Sequence, residues 1–186
     1  MANHALRADL LMLVTAMIWG SSFVAQRLGM DAIGPFLYSG LRFALAVVVL
    51  LPVVMLLRRR RAQPASPISR PLLLGGSLMG AVLALGINLQ QVGLLFTSVT
   101  NSGFITGLYV IVVPLLGLLL GHKTGLGIWL GASLAVVGMF LLSVGDGFHV
   151  ASGDLLQLAG AFVWGIHVLL VGCLLYTSDA ADDLLC

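Results

Sequence analysis

The side chains best able to hold a metal or move a proton are scattered in this sequence. His4, His122, His149 and His167 stand in separate segments without acidic or thiol neighbours at ligand spacing, so neither a metal site nor a cofactor is expected. There is no phosphate-binding loop and no basic, aromatic surface for nucleic acid. Ser21 or Ser22 paired with His167 has only residue type in favour of a hydrolase, and the chain reads as a non-enzyme. Arg42 stands apart as the only charge well inside an apolar run, about nine residues or roughly 13 Å deep. A charge there costs roughly 2.5–3.5 kcal/mol on insertion scales. Arg42 is therefore either an anion or carboxylate contact facing the interior or a clamp on backbone carbonyls.

Other polar groups are embedded in the same kind of sequence. Asn88 ends a stripe of small residues, Gly76, Gly80 and Ala84, and Gln91 continues that face. Both amides are open to interhelical bonding or substrate contact. Asn101, Thr106 and Tyr109 offer cavity-lining groups beside the pair Gly103 and Gly107, and Pro114 could kink its helix as a hinge. Trp19, Ser22 and Gln26 occupy one further segment, and Trp164 with His167 another.

The elements that must position these groups follow from composition. The 186 residues are 60% hydrophobic and 9% charged, too apolar for a soluble core. Six runs are long enough to cross a bilayer: Leu10–Leu28, Ile33–Leu57, Leu72–Phe96, Val99–Leu120, Gly125–Val144 and Leu155–Tyr176. Without strict alternation they cannot form a barrel and must be helices, giving an all-α multi-spanning bundle. Arg7 precedes the first run, which is expected to stay as an anchor rather than be cleaved as a signal. Arg7, Arg58–Arg61, Arg70 and Lys123 fall on one side, whereas Asp31, Asp146 and Asp154 fall on the other. That bias predicts a cytoplasmic N-terminus and a cytoplasmic loop around Pro64 and Pro67.

The segment Asp9–Gly20 returns as Asp154–Gly165, with seven of twelve positions identical and Asp, Trp and Gly in register. Five spans lie between the two starts, so the second copy enters from the opposite face. Inverted repeats of this kind build secondary transporters that bind substrate near the midplane.

Trp19-Gly20-Ser21-Ser22-Phe23, Leu41-Arg42-Phe43 after Pro35, and the run from Gln91 through Tyr109 to Val113-Pro114-Leu115-Leu116-Gly117 resemble the drug/metabolite transporter superfamily, EamA type. The resemblance implies a ten-helix carrier of two inverted five-helix repeats, moving small metabolites such as amino acids or drugs by alternating access. Residues 8–145 would form the first repeat and residues 152–172 the first helix of an incomplete second one. Residues 173–186 read as a non-native tail, because Cys173–Asp182 resembles the translation of a transposase sequencing adapter. The expected setting is the bacterial inner membrane, with the lipid bilayer and a small-molecule substrate as partners and no nucleic acid. Two other readings stay open: a half-size transporter acting as a dimer, and a non-transporting assembly or scaffold subunit.

Overall fold

The computed structural model describes residues 2–60, 70–144 and 151–179. These residues form α1 (Ala2–Ile33), α2 (Pro35–Arg60), α3 (Arg70–Leu95), α4 (Val99–Gly107), α5 (Tyr109–Leu119), α6 (Leu126–Val144) and α7 (Ser152–Asp179), with no strand among the described residues. Helices are required because each backbone group in hydrocarbon must find its partner within its own segment. Five stretches are long and apolar enough to span: Leu6–Ile33, Pro35–Arg60, Leu72–Leu95, Val99–Leu119 and Ser152–Cys173. The expected fifth span appears as α6, whose described apolar stretch, Leu126–Gly138, is shorter. The protein is thus an all-α multi-spanning membrane protein. The segment from Arg61 with its prolines, the Asp146 and His149 region, and residues 180–186 of the expected tail lie outside the described residues.

Local chemistry sets the turns. Gly34 adopts φ 76°, a left-handed value that glycine reaches without a Cβ penalty, and Pro35 then opens α2 with the φ it already prefers. The Ser98 hydroxyl caps α4 by accepting from the Asn101 N–H at 3.0 Å. The fourth span is interrupted at Leu108, whose N–H turns back to the Ile105 carbonyl at 3.1 Å. Pro114 lies further on, buried inside α5, so the interruption does not fall at the proline.

The core is the contact of α7 with α3, α4 and α5. The second half of α2, from Val47, and α1 from Leu6 to Ser21 are exposed and largely apolar. Between α3 and α7 the backbones approach closely at glycines. A Cβ built on Gly153 would meet the Gly93 carbonyl oxygen at 2.2 Å, and one on Gly93 would meet Gln157 Nε2 at 2.9 Å. Further along, Gly86 faces Val163 and Gly165 faces Val112 of α5. The stripe expected at Gly76 and Gly80 has nothing within 4 Å of either position. The close face of α3 is instead Gly86, Gln90 and Gly93, because that is the face α7 lies against.

Direction follows from these contacts. Arg27 of α1 reaches Leu94 near the end of α3, while Gly153 lies beside Phe96 at that same end. Trp19 and Trp164 then meet deeper in the bundle. The two copies of the repeated stretch therefore run in opposite directions.

Gly153→Ala is expected to cost about 1–3 kcal/mol by overpacking. Its melting temperature in detergent should fall, while Gly103→Ala, with nothing within 4 Å, should melt like the parent.

Candidate functional site

Two adjoining groups of side chains lie where α7 meets the other helices: one buried, the other half-buried with Trp19 exposed at its edge. The first is a buried polar ring joining three helices. Gln90 Nε2 of α3 donates to Thr106 Oγ1 of α4 at 3.1 Å, and that hydroxyl donates to Gln157 Oε1 of α7 at 3.3 Å. Gln157 Nε2 closes the ring on the Gln90 carbonyl at 2.9 Å. Gln157 is wholly buried, so each bond replaces one that water cannot supply. Nearby, Gln91 Nε2 contacts Ser39 Oγ of α2 at 3.4 Å, and Gln26 Nε2 donates to Ser22 Oγ at 3.1 Å.

The second group is aromatic. Trp19 of α1 lies 5.6 Å from Trp164 of α7 and 6.3 Å from Tyr109 of α5, the latter pair stacked at 29°. His167 meets Trp164 edge-on at 5.9 Å. Such offset and tilted pairs add roughly 0.5–1.5 kcal/mol each beyond area burial. Trp164 Nε1 and His167 Nδ1 are buried without a hydrogen-bond partner among the described residues, as are Gln26 Oε1, Gln91 Oε1 and Ser102 Oγ. Leu108 separates the two groups along the fourth span: Thr106 belongs to the polar ring and Tyr109 to the aromatic cluster.

One end of the site is tied down. Asp154 is 7% exposed, and its carboxylate accepts from the Ala151 N–H at 2.8 Å and the Thr97 hydroxyl at 2.5 Å. It caps α7, where the helix dipole favours an anion, and fastens α7 to the α3–α4 corner. The Arg27 guanidinium donates to the Leu94 carbonyl, near the C-terminus of α3, where a cation is favoured. Its 3.9 Å pairing with Asp31 is exposed and worth little.

The sequence candidates divide accordingly. Trp19, Tyr109 and Trp164 converge, with Ser22 one turn beyond Trp19 on α1, and Thr106 sits in the polar ring. Gln91 and Asn101 are buried, Gln91 against Ser39 of α2 and Asn101 in the first turn of α4. Asn88 turns back on its own helix, donating to the Ala84 carbonyl at 2.7 Å. Arg42 is half-buried, with its guanidinium 5.5 Å over the ring of adjacent Phe43, and makes no ion pair among the described residues. Gln90 and Gln157 were not among the candidates. Their signal was present: each lies at helical spacing from the glycines of the close face, Gln90 between Gly86 and Gly93, and Gln157 between Gly153 and Gly160.

Apolar helical spans packed around a buried polar ring and an aromatic cluster, one span broken at mid-course, define a polytopic helical membrane protein. Residues 6–144 match the EamA-like transporter family, and the chain belongs to that family. An "Uncharacterized transporter" of Archaeoglobus fulgidus is 31% identical over 170 residues, 89% of this chain and 49% of the relative. The "Uncharacterized inner membrane transporter YedA" of Escherichia coli K12 is 32% identical over 152 residues, 79% of this chain and 47% of the relative. The chain thus spans about half the length of these curated relatives. No solved structure matches it significantly.

Two outcomes test the geometry. Trp19→Phe and Trp164→Phe should each abolish the far-ultraviolet exciton couplet of the close indole pair. Gln157→Leu leaves Thr106 and the Gln90 carbonyl short of a partner. It should cost on the order of 1–2 kcal/mol, measured by unfolding in detergent.

Proposed function

We propose that this chain is the first half, with the opening helix of the second, of a secondary transporter that moves a small metabolite across the inner membrane by alternating access. The observation that carries this reading is the meeting of Trp19 and Trp164 at 5.6 Å. These are corresponding positions of the repeated stretch, and inverted-repeat carriers hold substrate where their two repeats meet. On this reading Trp19, Tyr109 and Trp164 form one wall of the substrate path, and Ser22 and Thr106 supply hydrogen bonds near it. Residues 152–172 begin the second repeat.

The Asp154–Thr97 and Arg27–Leu94 contacts hold the helices closely together at one end of the site. We place that end on the outer side, with a cytoplasmic N-terminus, on the strength of Arg58–Arg60 and Lys123 at the opposite ends of their helices. The inner-membrane setting is supported by the name of the Escherichia coli relative. Arg42, away from the aromatic cluster, is proposed as a separate contact for an anionic group.

The test is flux through proteoliposomes of the full-length parent, screened over amino acids and cationic drugs. Trp164→Ala should lower transport at least tenfold with insertion unchanged, and Arg42→Ala should abolish transport of an anionic or zwitterionic substrate. Absence of flux for every compound would favour a scaffold role instead. Flux that survives Arg42→Ala would leave that arginine structural.

A further inference from the structure

A cavity of about 430 Å³ lies along α5 between α6 and α7, outside the polar ring. Its walls are Val110, Val113 and Pro114 of α5, Ile128 of α6, and Val168 and Leu169 of α7. Tyr109 lies at its deep end, and His122, Lys123 and Thr124 lie at the turn between α5 and α6. From Tyr109 to Gly117 the apolar stretch runs roughly 12 Å at helical rise. The titratable groups that line it are Tyr109, His122 and Lys123, and no carboxylate is among them.

The basic end is built by the backbone. Gly121 takes φ 83°, which lets the His122 N–H reach the Gly117 carbonyl at 2.9 Å and the Gly121 N–H reach the Leu118 carbonyl at 3.0 Å. That paired closure of a helix end is the Schellman motif. It turns His122 back over α5, where its ring lies 3.5 Å from the position a Gly117 Cβ would take. Across the turn, Trp129 Nε1 donates to Thr124 Oγ1 at 3.0 Å, fixing the start of α6. An extended apolar channel with positive charge at one end only fits an amphiphile with an anionic head.

We propose that this cavity binds one anionic phospholipid, with an acyl chain along α5 and the phosphate at Lys123 and His122. Charge complementarity selects the occupant. The α5–α6 turn lies at the same end of the bundle as Arg58–Arg60, the level of the headgroups, and a free phosphate would leave the apolar length unused. The cavity shares Tyr109 with the proposed substrate wall, and lipid retention is read without any transport measurement.

The test is native mass spectrometry of the full chain in detergent with added phosphatidylglycerol or phosphatidylcholine. One phosphatidylglycerol should be retained in preference to phosphatidylcholine. Lys123→Gln, at an exposed loop position, should weaken that retention about tenfold, Lys123→Arg should keep it, and Arg58→Gln should leave it unchanged. As a second measurement, brominated phosphatidylglycerol should quench the parent more than Trp129→Phe. Equal retention of the two lipids, or retention indifferent to Lys123→Gln, would overturn the proposal.

Discussion

Between two helices in a bilayer, burying leucine against leucine gains little over burying it against lipid tails, so something else must hold them. Here it is the approach of α3 to α7. Glycines at both surfaces bring the backbones close enough for dispersion to act along the second half of α3, from Gly86 to Gly93, and within that seam Gln157 bridges to Gln90 and Thr106. Each feature needs the other. A Cβ on Gly93 would crowd the Gln157 amide, and the amide ring in turn bonds α7 to α3 and α4 at one register.

The seam explains where order is concentrated. Asp154 caps α7 at the point where it crosses the corner between α3 and α4, so capping and helix docking are one interaction. Farther along α7 the polar partners give way to Trp164 and His167, and the fourth span breaks at Leu108 between these regimes. A broken span can keep Thr106 in the hydrogen-bonded ring while Tyr109 turns with the aromatic side chains. Interruption at membrane depth is tolerated because the Leu108 N–H still reaches the Ile105 carbonyl and the Leu108 carbonyl accepts from the Ile111 and Val112 N–H groups.

Much of the architecture was legible in the sequence because lipid imposes length and helicity together. The spans come from residue type and spacing, and the repeat singled out Trp19 and Trp164, whose rings the structure brings to 5.6 Å; the Gly34-Pro35 turn, by contrast, lay inside the span expected from Ile33 to Leu57. Which face of α3 is used did not come from spacing alone. Gly76-Gly80-Ala84-Asn88 and Gly86-Gln90-Gly93 are both small-and-polar stripes, and only the position of α7 chooses the second. Periodicity likewise put Asn88 beside Gln91, yet the Asn88 amide satisfies itself on its own helix, a local competition that a helical wheel does not show. Pro114, expected as a possible hinge, lies buried within α5, and the span is interrupted at Leu108 instead.

The contact between Trp19 and Trp164 carries a geometric corollary. When two copies of a motif are related by a two-fold rotation, a residue that touches its own counterpart must straddle the rotation axis. On the proposed two-fold relation between the copies, the indole pair would mark the axis itself, the locus least displaced if the halves of a full-length transporter exchanged conformations.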